Sequence, residues 1–384
     1  MDQREELVEN YKKLQSFFEK SLTFFNLDFF NKPRNFRIYN LFFVFTLFIS
    51  HALNIRNVLI TKDQVIPLVY FYNFAWFIVH FAAITRFFTF IFNKKEFLEL
   101  LEDFEELHVK QYSHLIAQIQ LKNYGEIYKM TVALMMGFAI GFWITEFLAL
   151  AYLFTLPGID FPMIYNIPIM FDMPRVYYIS NMIIHFYFYF LLLTIVTLGD
   201  LFVIFFGLYF RCELKTLAEI IEFYLDNSEI VNRKKNLLKE IFEKHLQILN
   251  MLKILENVYR QLSFYQFLSS FFCCFCCFYG TLVQDKIEGT IYMMVCIAVA
   301  ELFALCLFGE TLVAHTEQLG VSIYLTKWYE MSLSEQKNLL YIMRIAQKPI
   351  GIKAAGLIDV NFFTFVEAMK GAVSYCAILY ALTK

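Results

Sequence analysis

Residues Gly356-Leu-Ile-Asp-Val-Asn-Phe-Phe-Thr-Phe365 open the last apolar segment of the chain, which runs to Leu382. Two polar stretches precede it, Ser322-Ile-Tyr-Leu-Thr-Lys-Trp-Tyr-Glu-Met-Ser332 and Ile342-Met-Arg-Ile-Ala-Gln-Lys-Pro349. Between them, Ser332-Leu-Ser-Glu335 fits a capping box, and a helix must stop by Pro349 because proline cannot continue it. The pattern predicts a polar helical hairpin directly before an apolar span.

The composition of the whole chain is that of a polytopic membrane protein. Of its 384 residues 59% are hydrophobic, only 18% are charged, and 47 are Phe. A soluble domain could not bury so much apolar surface. The net charge of −2 gives no reason to expect a nucleic-acid partner. The charged N-terminus lacks the apolar core of a signal peptide, so we expect the first span to direct insertion.

Seven segments are long and apolar enough to cross a hydrocarbon core of about 30 Å. They cover residues 38–55, 65–85, 130–156, 176–210, 264–283, 291–308 and 356–382. The fourth is longer than the bilayer requires, so we expect it to continue beyond the membrane as one helix. The sequence therefore predicts an all-α, polytopic membrane protein with seven transmembrane helices.

Basic residues predict the orientation of these spans. The N-terminal arm and the loops on its side carry 24 Lys and Arg, whereas the opposite side carries five. Cytoplasmic segments are enriched in Lys and Arg, so we expect a cytoplasmic N-terminus and an extracellular C-terminus. A G-protein-coupled receptor has its N-terminus outside, and this orientation excludes that class.

Two further segments have the periodicity of amphipathic helices on the predicted cytoplasmic side. The first precedes span one and contains Leu7, Tyr11, Leu14, Phe18, Leu22 and Phe25 at spacings of three and four. The second, which we call the seam, runs straight into span five and consists of Ile241, His245, Ile248, Leu252, Leu255, Tyr259 and Leu262. These helices can build a domain beneath the membrane. The seam could assemble subunits or pack within one subunit, and the sequence leaves both open.

Seven of the eight cysteines lie in apolar segments, four of them in the run Cys273-Cys274-Phe275-Cys276-Cys277. The near-consecutive spacing distributes the thiols around a helix and not at one metal vertex. Free cysteine behaves as a small hydrophobic residue, so we expect packing here and neither disulfides nor a metal site.

No pattern for catalysis or cofactor binding is present: the sequence lacks a Gly-rich phosphate loop, metal-ligand spacing and a nucleophile with its base. We therefore do not expect an enzyme, catalytic residues or a cofactor. Ionisable residues within spans are the default functional candidates. They are Arg86, Glu146, Asp200, Glu301, Glu310 and Lys370.

Each of these ionisable residues has its own expected role. Arg86 ends span two, and snorkelling to the cytoplasmic interface accounts for it. For Asp200, Glu301 and Glu310 we expect salt bridges or helix contacts in preference to ion binding. Glu146 lies among apolar side chains in the outer half of span three, and it is a candidate pocket or ion-path residue.

The C-terminal region resembles the signature of insect odorant receptors. The resemblance rests on the pair Trp328-Tyr329, on Arg344-Ile-Ala-Gln-Lys-Pro349, on Gly356, on Thr364-Phe365 and on Ser374-Tyr375, in this order. It implies a ligand-tuning subunit of an odorant-gated, non-selective cation channel that works with the shared insect odorant co-receptor in a heterotetramer. It further implies a location in the cell membrane of an olfactory neuron dendrite. The alternatives are a gustatory receptor of the same superfamily, which commonly ends in Thr-Tyr followed by Gln-Phe, and a secondary transporter.

The same resemblance implies three sets of site residues. The odorant pocket of this family lies in the outer half of the bundle between spans two, three, four and six, and Gly141 and Thr145 are the expected floor. The pocket residues would be Phe71, Phe74, Phe138, Gly141, Phe142, Thr145, Tyr177, Tyr178, Asn181, His185, Tyr292 and Val295. The pore constriction would be formed by Ile378, Ala381 and Leu382 on the last span. The assembly anchor would contain Leu252, Leu255, Trp328, Leu340 and Met343.

These expectations divide the chain into six regions. Residues 1–36 form the cytoplasmic N-terminal helix, 37–210 spans one to four, and 211–263 the cytoplasmic extensions of spans four and five. Residues 264–314 form spans five and six, 315–355 the cytoplasmic anchor helix, and 356–384 the pore-lining span seven.

Overall fold

A computed structural model describes residues 3–24, 34–61, 67–110, 114–155, 174–225, 237–283 and 289–383 of the chain. These residues are nearly all helical, which confirms the predicted fold class. The helices are α1 (Gln3–Phe24), α2 (Arg34–Thr61), α3 (Pro67–Phe92), α4 (Lys94–Val109), α5 (His114–Thr155), α6 (Pro174–Leu225), α7 (Leu237–Val283), α8 (Gly289–Tyr324), α9 (Leu333–Ala346) and α10 (Phe362–Thr383). A 3₁₀ turn, Trp328–Glu330, precedes α9, and the strands β1 (Lys353–Ala354) and β2 (Ile358–Asp359) pair antiparallel before α10.

Five described helices are long and apolar enough to cross a membrane, and they are α3, α6, α7, α8 and α10. They overlap the predicted spans two, four, five, six and seven, although α10 begins at Phe362, six residues after the predicted start of span seven. A shorter apolar stretch, Val44–Ile60, lies in α2 at the predicted first span. The predicted third span falls in the C-terminal part of α5, where many side chains lie outside the described part of the structure.

Two helices are much longer than a bilayer requires. The 52 residues of α6 and the 47 of α7 correspond to about 80 and 70 Å of helix. The prediction that span four continues as a helix is confirmed, and so is the prediction that the seam runs unbroken into span five. Near the C-terminal end of the predicted span four, α1 and α4 pack against Phe202, Phe205 and Tyr209 of α6.

The α1 helix buries the face that its periodicity predicted. Tyr11, Phe18 and Leu22 are at most 1% exposed, and the ring of Phe18 lies 4.5 Å from that of Phe202 on α6. The sequence analysis treated the segment that forms α4 as part of a loop, whereas the structure shows an amphipathic helix. Its Phe97, Leu100, Leu101, Phe104 and Leu107 are fully buried.

The connection between α9 and α10 is fastened to α7 and α8. The predicted capping box is present, with Ser332 and Glu335 bonded reciprocally at the start of α9. Gly356 has φ +76, and a Cβ there would meet the guanidinium of Arg260 at 2.4 Å, so glycine is required. Glu310 of α8 accepts a hydrogen bond from the backbone N–H of Phe362 at 3.3 Å, which agrees with the helix-contact role predicted for it. The base of α10 is thus held by α8.

Candidate functional site

A buried charge cluster joins four helices within the membrane-spanning region. The guanidinium of Arg86 on α3 lies 2.9 Å from Asp200 on α6 and 3.1 Å from Glu301 on α8. Gln266 on α7 donates a further hydrogen bond to Glu301 at 2.8 Å. The predicted salt bridges of Asp200 and Glu301 are therefore confirmed. We call these four residues the membrane charge cluster.

The snorkelling interpretation of Arg86 is wrong. Its side chain is only 4% exposed, and α3 continues to Phe92, so the guanidinium lies inside the bundle and not at an interface. A buried charge is tolerated only when it is paired and hydrogen-bonded. Asp200 and Glu301 provide that pairing from two other helices.

Two cavities border the membrane charge cluster. The larger, of about 60 Å³, lies between α3, α6, α7 and α8. Its walls are apolar, apart from Arg86, Glu301, Ser269 and Ser270 at one end. The apolar lining comprises Trp76, Ile78, Val79, Ala82, Leu193, Val196, Cys273, Ile297 and Ala298. The smaller cavity, of about 20 Å³, also touches Arg86 and Glu301 and is lined by Asp200, Tyr259 and Phe138 among others.

Aromatic and histidine rings pack next to the larger cavity. Trp76, in its wall, lies 5.1 Å from Tyr189, and Tyr189 stacks on His185 at 6.4 Å. The Nδ1–H of His80 donates at 2.7 Å to the carbonyl of Trp76, one turn earlier on α3. This arrangement has the form of a small-molecule site, namely an apolar enclosure with a few convergent polar groups.

The structure brings together part of the expected pocket residues. Phe74 and Val295 both pack on the cluster formed by Cys273, Cys274, Cys276 and Cys277, next to the larger cavity. Phe138 lines the smaller cavity, and His185 is buried. The side chains of the remaining expected residues, apart from Gly141, lie outside the described part of the structure, although their backbones are helical: Phe71, Phe142, Thr145, Tyr177, Tyr178, Asn181 and Tyr292.

Gly141, the expected pocket floor, lines neither of the two cavities. Gly141 is exposed, and a Cβ added to it would meet no atom within 4 Å. Its neighbours Ile140 and Ile144 are more than half exposed, so this face of α5 points away from the bundle. The larger cavity instead uses α7, which the expected pocket omitted, and it lacks residues of α5.

The four clustered cysteines pack as the sequence analysis predicted. Cys273, Cys274, Cys276 and Cys277 are each at most 5% exposed. They form an apolar cluster with Ala75 and Ile78 of α3, Ala298 of α8 and Ala372 of α10. The cluster therefore joins the wall of the larger cavity to the last helix.

The three expected pore residues share one exposed face of α10. Ile378 is 56% exposed, Leu382 is 79% exposed, and Ala381 is exposed as well. Lys370 lies nearer the N-terminus of α10 and pairs with Glu367 on the surface at 2.9 Å. Only 11% of the apolar part of α10 is buried within the chain, the least of the five candidate spans. Phe271 on α7 contacts it, with its ring 6.3 Å from that of Tyr375.

The expected anchor residues separate into two groups. Leu252 and Leu255 are 1% and 0% exposed inside the core of the chain, so they cannot also form a surface between subunits. The seam packs within the subunit, which is the alternative that the sequence left open. Leu340 is 61% exposed within the single subunit, and Trp328 and Met343 are half-buried.

A second buried ion pair lies where α6 and α7 extend beyond the predicted membrane. Lys244 and Glu213 are 3.0 Å apart and at most 2% exposed. The hydroxyl of Tyr124 on α5 donates to Glu213, and His108 on α4 stacks on Tyr124 at 4.1 Å. Tyr11 of α1 covers the other face of His108 at 4.5 Å. We call these five residues the cytoplasmic-side cluster.

Comparison with known proteins identifies the family. Residues 67–373 match the family model described as 7tm odorant receptor. The chain belongs to this odorant receptor family. It is a family of receptors and not of enzymes, and its match favours the odorant branch over the gustatory alternative.

Individual relatives cover only part of the chain. Among Drosophila melanogaster proteins, odorant receptor 49a is 33% identical over 110 residues, 28% of each chain. Odorant receptor 33c is 24% identical over 164 residues, 41% of each chain. The chain therefore matches less than half the length of these curated relatives.

The fold has a solved counterpart along its whole length. The structure of the insect olfactory receptor OR5 from Machilis hrabei in complex with eugenol matches with a TM-score of 0.77, covering 98% of this chain and 100% of that one. The identity is 16%, so the likeness shows a shared fold. Together with the apolar helices, it establishes a membrane protein of the odorant receptor type.

Proposed function

We propose that this odorant receptor is the ligand-binding subunit of an odorant-gated, non-selective cation channel. In this proposal it works with the insect odorant co-receptor in a heterotetramer in the cell membrane of an olfactory neuron. Membership of the odorant receptor family supports the receptor part. The largely apolar cavity supports binding of a small organic ligand, and the OR5 complex shows that a relative in fold binds eugenol.

The observation that carries the channel part is the exposure of α10. A helix that is long and apolar enough to span the membrane has only 11% of its apolar part buried within the subunit. Ile378, Ala381 and Leu382 are three and four residues apart, so they share one face. A ring of such faces around a symmetry axis would form an apolar constriction, which gates ions by dewetting.

The orientation is part of the proposal. The excess of Lys and Arg on the side of the N-terminus favours a cytoplasmic N-terminus and an extracellular C-terminus. This orientation sets the exposed face around Leu382 at the outer end of the pore. An epitope tag after Lys384 should then be labelled on intact cells, whereas one before Met1 should require permeabilisation.

The exposed surface of α9 is the proposed contact with neighbouring subunits. Leu340 and Tyr341 are 61% and 60% exposed, the half-buried Met343 lies on the same helix, and the half-buried Trp328 lies in the preceding 3₁₀ turn. Apolar side chains in an aqueous compartment are stabilised when a partner covers them. Leu252 and Leu255 support this surface from within the core and do not contact the partner.

Co-expression with and without the co-receptor tests the proposal. We expect currents evoked by members of an odorant panel only when both chains are present. Odorant-evoked current from this chain alone would contradict the need for a partner. Odorant-driven uptake without a conductance would support a transporter, and a response through G proteins would contradict the channel.

The pore assignment makes a more specific prediction. Ile378→Ser should raise the resting leak or change the cation permeability ratios, because a polar side chain stabilises water in the constriction. The matched control is Val373→Ser, since Val373 is 54% exposed and lies about 140° away around the helix. Equal leak and permeability in the two variants would contradict a constriction at Ile378.

A further inference from the structure

The polar end of the larger cavity contains both a hydrogen-bond acceptor and a donor that are available to a guest. Gln266 donates from the same nitrogen to Glu301 Oε2 at 2.8 Å and to Ser270 Oγ at 3.3 Å, so these two residues lie side by side. Both line the cavity. The polar end is thus built from the membrane charge cluster and one serine of α7.

The acceptor is the second carboxylate oxygen of Glu301. Oε2 receives hydrogen bonds from Arg86 at 3.1 Å and from Gln266. Among the residues that the structure describes, Oε1 has no hydrogen-bond partner. The glutamate side chain is 12% exposed, and it faces both cavities. A carboxylate oxygen can only accept, so a guest must donate to it.

The donor is the hydroxyl of Ser270. Its oxygen accepts from Gln266, and no acceptor for its hydrogen is assigned within the described part of the chain. Ser269, also in the cavity wall, is different because its hydroxyl donates to the carbonyl of Gln266 at 3.0 Å within its own helix. A guest group at this end of the cavity must therefore accept a hydrogen bond from Ser270 and donate one to Glu301.

The volume of the cavity favours a small guest. About 60 Å³ is room for several waters, since each needs about 10–15 Å³. It is well below the roughly 150 Å³ of an engineered protein cavity that binds benzene. A short aliphatic chain suits the space among Trp76, Val79, Leu193 and Ala298.

We propose that this cavity binds a short-chain primary alcohol, with the hydroxyl donating to Glu301 and accepting from Ser270. This inference rests on the proposed function, because it names the ligand class of the proposed odorant site. A ketone of equal size can only accept, so it leaves Glu301 Oε1 unpaired. A protonated amine can only donate, so it leaves the hydroxyl hydrogen of Ser270 without an acceptor.

The first experiment compares matched ligands on the wild-type pair of chains. Cells expressing this subunit with the co-receptor are recorded while 1-propanol, 1-butanol, 2-butanone and n-pentane are applied in concentration series. We expect 1-butanol to activate at a concentration roughly tenfold lower than 2-butanone, since one more hydrogen bond is made, and n-pentane to be weakest. Equal potency of 1-butanol and 2-butanone would overturn the inference.

Variants of the cavity wall provide the second experiment. Ser270→Ala should raise the half-maximal concentration of 1-butanol roughly tenfold, whereas the matched control Ser269→Ala should leave it unchanged. Ser270→Thr keeps the hydroxyl and should retain most of the sensitivity. Ala298→Leu fills the cavity and should abolish the alcohol response by volume alone. Surface labelling and the current evoked by a co-receptor agonist show that each variant is assembled.

The outcomes separate this inference from the proposed function. If other odorants open the channel but an assembled Ser270→Ala or Ala298→Leu subunit keeps wild-type alcohol sensitivity, the inference is overturned and the proposed function stands. If the co-receptor agonist works but no odorant or alcohol does, the proposed function itself fails. Loss of alcohol sensitivity in Ser270→Ala with retention in Ser269→Ala supports the assignment.

Discussion

The two buried charge clusters lie about 20 Å apart along α6 and differ in the number of charges that they hold. In the membrane charge cluster one guanidinium, that of Arg86, faces the two carboxylates of Asp200 and Glu301. In the cytoplasmic-side cluster one ammonium, that of Lys244, faces the single carboxylate of Glu213. The first therefore holds one carboxylate more than its single cation balances, whereas the charges of the second pair are equal in number.

The space around the two clusters differs as well, because cavities lie beside the first and packed aromatic rings surround the second. Cavities border Arg86 and Glu301 on two sides. Around Glu213 and Lys244, by contrast, the rings of Tyr124, His108 and Tyr11 stack in sequence and connect α1, α4 and α5 to the pair. A closed one-to-one pair fixes helices relative to one another. The membrane charge cluster has a carboxylate in excess, so it can change hydrogen-bond partners when a ligand binds. We therefore expect this cluster to respond to ligand and the cytoplasmic-side cluster to hold its helices in place.

We expect the largest loss of stability when the ion pair between Lys244 and Glu213 is broken. Lys244→Met leaves Glu213 buried without its cation, which should cost about 3–5 kcal/mol. We expect severe loss of surface expression and a large fall in the melting temperature of the purified channel. The double variant Lys244→Met with Glu213→Gln should recover much of that loss, because no charge is then left unpaired. Wild-type stability of the single variant would contradict a fixing role for the pair.

We expect a smaller loss of stability from a substitution in the membrane charge cluster. Asp200→Asn should cost about 1 kcal/mol, because Arg86 keeps Glu301 and because Oδ2 of Asp200 has no hydrogen-bond partner among the described residues. The matched change Glu213→Gln should cost several times more, since it leaves Lys244 buried without a counter-charge. Surface labelling and thermal stability of the two variants measure the difference. Equal losses would show that the clusters do not differ in tolerance.

The sequence predicted the helices well because their signals are local. Apolar length defined the spans, and periodicity defined α1, the seam and the capping box at Ser332. The helix α4 had a readable signal too, in Phe97, Leu100, Phe104 and Leu107 at spacings of three and four. The sequence analysis treated the segment as a loop between spans and missed it. A test for periodicity within predicted loops would have found it.

The site was harder to predict because its contacts join distant positions. Arg86 pairs with residues 114 and 215 positions away, and no local pattern encodes such pairs. Ser270, which borders the same cavity, is an ordinary helix residue by sequence. The expectation for Gly141 had a related weakness, since helical spacing defines a face of α5 but not the neighbour that the face meets. Only packing shows that α7 provides the wall that α5 was expected to form.

The smallest of the predicted effects is the loss of stability when His108 in the cytoplasmic-side cluster is protonated. Its Nδ1 lies 2.7 Å from the carbonyl of Phe104, which can only accept, so Nδ1 carries the hydrogen. Burial lowers the pKa of His108 below its ordinary value of 6.5, an effect that the nearby Glu213 carboxylate opposes in part. The folded protein therefore keeps the ring neutral, while the unfolded chain gains a proton near pH 6.5. Stability from this residue is fully present above pH 6.5 and is lost as the pH falls towards the folded pKa.

We expect the melting temperature of the purified channel to fall by about 2 °C more in the wild type than in His108→Gln between pH 7.5 and 5.5. Glutamine can fill the space between Tyr11 and Tyr124 without titrating, so its curve should be flatter over that interval. Between pH 7.5 and 8.5 His108 stays neutral in both the folded and the unfolded chain, so the difference in melting temperature between the two proteins should not change. This interval serves as the internal control. Parallel curves from pH 7.5 to 5.5 would show that His108 titrates normally, and the cytoplasmic-side cluster would then be open to water.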